Sequence, residues 1–450
     1  MKQSQSFTEG KILSPLIRFA LPVFLALFLQ AMYGAVDLLV VGQFGSAVDV
    51  SAVSTGSQIM HTITTVIVGL AMGITVLAGQ KIGEKNPEAA GRTIGSGICL
   101  FSVLAVIVTF LMLFLANLLV SVMQAPEEAF DATVTYVKIC SAGTIFIVAY
   151  NVLGSIFRGI GDSKMPLITV AIACTLNIGG DLLFVAVFHM GVAGAALATV
   201  LAQAVSVLIS VFIIRKKSLP FVFSRSYIRF DKSLITRIVM LGAPIALQDL
   251  LVSISFLVIM AIVNSLGLIA SAGVGVAEKL CAFIMLVPSA FMQSMSAFVA
   301  QNVGAGKTER ADKALFYGIA TSVCAGILMA WLSFFHGDLL SSLFARDTEV
   351  IAASADYLKA YAIDCLLTAF LFCFAGYFNG YGLTFFVMLQ GIVGAFCVRI
   401  PVSFLISRIS GATLFHIGLA TPSSTVVQIL LCICYFRYQK KKRRSGNSTI

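Results

Sequence analysis

Apolar residues in this chain come in long unbroken runs rather than in alternation. Twelve stretches are expected to span a membrane: Leu16–Val41, Val50–Ala78, Ile94–Val122, Tyr136–Phe157, Met165–Phe188, Gly191–Ile214, Ile238–Val263, Ala272–Val299, Phe316–Phe335, Tyr357–Phe378, Leu383–Ile406 and Leu414–Phe436. Each is at or above the roughly 20 apolar residues that a helix needs to cross a bilayer. Short strands with polar alternation, the pattern of a membrane β-barrel, do not appear. The first stretch is too long for a signal-peptide core and lacks a small-residue cleavage site, so it is expected to act as its own insertion signal. The pattern therefore predicts an all-α polytopic membrane protein.

Composition agrees and removes other classes. Of 450 residues, 59% are hydrophobic and 11% charged, against about 25% charged in a soluble domain. Mean hydropathy is +1.00. The net charge of +10 is explained by topology rather than by nucleic acid. Lys2, Lys11, Arg18, Lys81, Lys85, Arg92, Arg158 and Lys164 fall on one predicted side. So do the basic residues of 215–237, then Lys307, Arg310 and Lys313, and those of the tail from Arg437 to Arg444. The opposite loops hold only Arg346 and Arg408. The positive-inside rule then places both termini in the cytoplasm, in the inner membrane of a prokaryote. The run Lys440–Arg444 is also suited to anionic membrane lipid. The 10 cysteines lie almost wholly within spans without a CxxC pair, and the 4 histidines are dispersed. Neither set has metal-ligand spacing, and no cofactor is expected.

The chain also matches itself. Phe19-Ala20-Leu21-Pro22 pairs with Leu241-Gly242-Ala243-Pro244, and Gln80-Lys81-Ile82-Gly83 with Gln301-Asn302-Val303-Gly304. Phe157-Arg158-Gly159-Ile160-Gly161 pairs with Phe378-Asn379-Gly380-Tyr381-Gly382. The offset is constant but for one single-residue slip. This divides the chain into an N-terminal lobe, 1–217, a basic linker, 218–232, and a C-terminal lobe, 233–450. Six spans per copy give both copies the same membrane orientation, as in transporters built from parallel repeats. The predicted fold is two pseudo-symmetric six-helix bundles. Pro22 and Pro244 lie early in equivalent spans. Each removes a helical hydrogen bond, leaving either a static kink or a bending point.

Charges inside the apolar stretches cost at least about 2.5–3.5 kcal/mol each, so each calls for a reason. Asp37 shares a helix face with Gln30, two turns earlier, and Asp181 shares one with Asn177. Thr199 lies in the next span. Together they offer the oxygen ligands a hard cation takes, and two carboxylates in one site can instead hold an exchangeable proton. The competing reading is a hydrogen-bonded packing cluster, with Lys138 the nearest available base. In the second half, Asp249, Glu278 and Asp364 accompany Lys279 and Arg399. They read either as interhelical ion pairs or as contacts to substrate or a second cation. Gly159-Ile160-Gly161-Asp162 has the GxGD spacing of an intramembrane aspartyl protease. Its Asp162 sits beside Arg158 and Lys164 at a helix end, and the repeat copy lacks the acid, so proteolysis is a remote alternative. No HExxH, P-loop or GxSxG context occurs.

On the early-span prolines, Val36-Asp37 through Val41-Gly42, Ala78–Gly83 with its second copy, and Arg158–Pro166, the chain resembles the multidrug and toxic compound extrusion (MATE) transporters. The resemblance covers nearly the whole chain and looks nearest the DinF-like branch. It implies two six-helix lobes around a V-shaped cavity and efflux of small lipophilic or cationic compounds by antiport with Na+ or H+. It also implies a coupling-ion site at Gln30, Asp37, Tyr136, Asn177, Asp181 and Thr199, with Na+ as the one metal to expect there. Acids serving the related NorM-like branch map near Asp249 and Asp364, about a turn away. Phe- and Met-rich faces suit varied substrates. The expected state is a monomer. The rival within the same superfamily is a flippase for lipid-linked oligosaccharide, which calls for a cationic cavity; the spans offer only Lys138, Lys279 and Arg399.

Overall fold

Long apolar runs leave the backbone no partner but itself, and helices result. A computed structural model describes residues 7–409 and 411–445; no strand occurs among them. Lys2 and the two chain ends lie outside the described residues. The first half comprises α1 (Leu13–Phe44), α2 (Ala47–Gly83), α3 (Pro87–Val122), α4 (Phe130–Ala142), α5 (Thr144–Gly159), α6 (Lys164–Asp181) and α7 (Gly191–Arg215). The second comprises α8 (Lys232–Asn264), α9 (Leu268–Ile284), α10 (Leu286–Gly304), α11 (Thr308–Phe335), α12 (Gly337–Ser342) and α13 (Thr348–Gly380). It ends with α14 (Thr384–Ile392), α15 (Ile400–Ser407), α16 (Leu414–Gly418) and α17 (Ala420–Arg444). Among the described residues 11 helices are long and apolar enough to cross a membrane, and a bent pair raises the number to 12. The protein is thus a multi-pass membrane protein, and every predicted stretch falls on one of these spans.

Local chemistry sets the helix ends. Ser46 caps α2 in a capping box, accepting from Asp49 N at 3.2 Å while Ser46 N donates to Asp49 Oδ2 at 2.8 Å. Asn86 caps α3 at Ala89 N, 2.9 Å, with Pro87 at the first helical position. Pro22 and Pro244 lie inside α1 and α8, which run on through them as single helices.

Three departures from regular helix were not legible in the apolar pattern. The fourth span breaks at Gly143, where α4 and α5 meet at 57°. A π-turn at Leu182–Val187 directly follows Asp181. Another at Val393–Arg399 ends on Arg399. π-turns insert a residue into the helical ladder and recur at functional positions.

By internal packing the chain forms two compact units, Met1–Ala246 with Ala300–Thr308, and Leu247–Val299 with Glu309–Ile450. The division passes through α8 rather than through the linker 218–232. In the first unit the end of α10 crosses the end of α2. A Cβ on Gly83 would run into the Gln301 carbonyl, and one on Gly304 into the Gln80 carbonyl. Only glycine allows that approach. Gln301 Nε2 also donates to Gly159 O at 2.9 Å.

Candidate ion site

In the first unit α1, α6 and α7 bring Asp37, Asn177, Asp181 and Thr199 together. Asp37, Asn177 and Asp181 are 6%, 1% and 0% exposed. Asn177 Nδ2 donates to Thr199 Oγ1 at 3.4 Å, and Thr199 Oγ1 lies 3.4 Å from Asp37 Oδ2 and 3.1 Å from its own-helix acceptor, Ala195 O. These are long contacts, at the limit of a hydrogen bond. The carboxyl groups of Asp37 and Asp181 are neighbours within electrostatic reach of each other. Asp37 Oδ1, both Asp181 oxygens and Asn177 Oδ1 otherwise have no donor.

Buried oxygens normally find partners, and an unmade bond costs about 1–3 kcal/mol. Four such oxygens gather here. No described base pairs with the two acids: none of the ion pairs within 4.0 Å involves Asp37 or Asp181. Lys138, the base that the sequence offered, is exposed on α4 and makes no ion pair. Tyr136 is buried against the cluster, within electrostatic reach of Asp37 and beside Cys140. Gly56 makes room for it, since a Cβ there would approach the Tyr136 ring to 2.5 Å. Gln30 is half-exposed and makes no hydrogen bond to Asp37, Asn177, Asp181 or Thr199, so the structure does not bring it into the cluster. Tyr33 and Gln203 were not singled out from the sequence; Gln203 Nε2 donates to Tyr33 Oη at 3.4 Å, one turn from Asp37 and Thr199. Their one-turn spacing from those residues was the available signal.

The second unit arranges its charges differently. Asp364 on α13 and Arg399 at the π-turn are 2% and 6% exposed and lie within electrostatic reach of each other. No direct ion pair forms within 4.0 Å. Arg399 Nη1 donates to Ser255 Oγ at 3.1 Å, and its guanidinium lies over the Phe256 ring at 4.5 Å. Asp364 faces Thr425 on α17. Glu278 has an unpartnered Oε1, Asp249 is half-buried and alone, and Lys279 is exposed on another face of α9. The structure thus brings Asp364 and Arg399 together and leaves Asp249 and Lys279 out.

Asp162 of the GxGD run caps α6, accepting from Lys164 N at 3.0 Å and Met165 N at 3.2 Å. It also pairs with Lys217. It is an anchored helix cap rather than half of a catalytic dyad.

Two six-span repeats, each with a charged centre inside its helices, define the chain as a polytopic helical transporter. The MatE family profile matches twice, over residues 22–183 and 244–405, and each match begins at one of the two repeat prolines. The chain belongs to the MatE family, whose members are multidrug efflux transporters. It is 28% identical to the probable multidrug resistance protein YpnP of Bacillus subtilis over 441 residues, 98% of each chain. It is 25% identical to the multidrug export protein MepA of Staphylococcus saprophyticus, covering 92% of this chain and 91% of that one. Among solved structures, a MATE transporter in a bent conformation superposes with a TM-score of 0.92 at 19% identity over 100% of both chains. An outward-facing multidrug resistance MATE transporter gives 0.91 at 20% identity, covering 98% and 99%. At these identities the superpositions speak for the fold alone.

Proposed function

We propose that this protein is a secondary active exporter of small lipophilic or cationic compounds, driven by inward movement of Na+ or H+ through the Asp37–Asp181 site. One observation carries the reading: two adjoining buried carboxylates with no base to neutralise them. Emptied, the site holds negative charge in a medium that does not tolerate it; occupied by Na+ or a proton, that charge is offset.

The coupling follows from linkage. If the occupied site favours the conformation with weak substrate affinity, ion binding expels substrate, and substrate binding expels the ion to the same degree. Asn177 and Thr199 add neutral oxygens to the pair, and buried Tyr136 lies within electrostatic reach of Asp37. Each inward positive charge gains about 2.3 kcal/mol per 100 mV of membrane potential. The work requires no cofactor. The protein acts as a monomer in the inner membrane of a prokaryote, with both termini cytoplasmic, as its basic loops direct. YpnP and MepA, named for multidrug resistance and export, support the substrate class.

The test is export of a fluorescent cationic dye from proteoliposomes under separately imposed Na+ and pH gradients. One gradient drives transport in the wild type, and Asp37→Asn and Asp181→Asn abolish it while dye binding persists. Undiminished ion-driven transport in both variants refutes the site.

A further inference from the structure

Below the carboxylates, the interior of the first unit carries more polar groups than packing needs. The contacts Asp37 with Thr199 and Tyr33 with Gln203 set α1 and α7 in antiparallel register. The next tier in that register, Leu29 with Val207, packs around Tyr150 of α5, together with Ala26, Val170 and Ala173. On α1, α6 and α7 alike, residues of this tier lie eight positions from Asp37, Asp181 and Thr199. At 1.5 Å per residue, Tyr150 therefore sits about 12 Å below the ion site, with Tyr33 and Gln203 midway.

Two further turns along α5 stands Arg158. Its side chain, half-buried, folds back along the helix. Its Nη1 would lie 3.1 Å from a Cβ on Gly154, and its Nη2 donates to Ser155 Oγ at 2.8 Å. The missing side chain of Gly154 is the slot that admits it. Tyr150 Oη, Arg158 Nε and Gln203 Oε1 are all buried without a hydrogen-bond partner. Set in an otherwise apolar tier, these unpaired polar atoms at successive depths are places where water or a passing ion can bind.

We infer that Tyr33, Gln203, Tyr150 and Arg158 line the route between the Asp37–Asp181 site and the membrane face where α5 ends, with Arg158 as its electrostatic gate. The inference rests on the ion-site reading above. A guanidinium is always charged, and in a narrow low-dielectric passage it excludes Na+ and H+ as fixed arginines do in other pores. Its one side-chain hydrogen bond is to its own helix, so it can swing aside without breaking contacts between helices. Passage is then timed by the conformational cycle, and ions do not leak between turnovers.

The experiment measures ion flux in proteoliposomes without dye, alongside equilibrium dye binding. Arg158→Gln should raise dye-independent dissipation of the driving gradient by at least about tenfold with dye affinity unchanged. Arg158→Lys should stay tight. Arg158→Gln combined with Asp37→Asn should lose the leak, because the ion must pass the site. A dye-binding Arg158→Gln protein as tight as wild type overturns the gate, as does a leak that persists without Asp37. Should Arg158→Gln not bind dye, Tyr150→Phe decides: slower ion-driven turnover at unchanged dye affinity supports the route, and wild-type turnover overturns it. Asp37→Asn alone reports on the ion site itself, so failure of the gate and failure of the site are read separately.

Discussion

The two halves share a repeat but not an electrostatic plan. The first gathers two carboxylates, an amide and a hydroxyl with no base among them. The second sets Asp364 within reach of Arg399. The first cluster therefore has no base paired with its acids, and the second has one within reach. Helix continuity is exchanged as well. The fourth span of the first half breaks at Gly143, whereas α13, its counterpart, runs unbroken with Asp364 at the equivalent position. Conversely α2 is continuous while its counterpart is interrupted at Met285, between α9 and α10, close to Pro288. A duplicated scaffold thus holds an acid pair without a base in one copy and an acid within reach of an arginine in the other.

The sharpest way to break this comparison is to neutralise an acid in each half. Asp37→Asn should lower ion-driven dye export by at least about a hundredfold, because it removes the charge that must be compensated. Asp364→Asn should not abolish it. Equal losses in matched proteoliposomes would erase the distinction. A smaller effect should appear in stability. Arg399→Gln, which strands Asp364, should destabilise the protein by about 3 kcal/mol, and Arg399→Gln with Asp364→Asn by clearly less. Thermal unfolding in detergent reads this, and the matching Asp37 and Asp181 double variant should show no such rescue. Smaller again, Thr199→Val removes one oxygen ligand and should weaken the driving ion about tenfold, or about 1.4 kcal/mol, in the concentration giving half-maximal export. The smallest effect belongs to Lys138→Gln: exposed and unpaired, it should leave transport within about twofold of wild type.

Much of this was legible in the sequence for a simple physical reason. Lipid imposes an apolar length on every span, so the spans and the two repeats appear directly in the letters. Asp37 and Asp181 stood out because a carboxylate in an apolar run is costly. Their adjacency, by contrast, depends on how α1, α6 and α7 pack, which no single run encodes. Gln30 shows the limit of spacing: it lies on the same nominal face as Asp37, yet two turns leave it outside the cluster. Arg158 shows the reverse error. Beside Lys164 at a span end it reads as a topology charge, but Gly154 lets it turn inward. The π-turns beside Asp181 and Arg399 were illegible because glycines such as Gly179, Gly180 and Gly394 are common in spans, and only packing decides which of them widens the helix.

The crossing of α2 and α10 is reciprocal. Gly83 meets Gln301, and Gly304 meets Gln80, so each position contacts the counterpart of its own neighbour. That reciprocity is the property of an isologous interface between two identical chains. The two glycines are separate letters, free to change independently, yet each faces a backbone carbonyl that forbids anything larger. The two positions thus remain tied to each other across the repeat, and a side chain at either one closes the crossing at both ends.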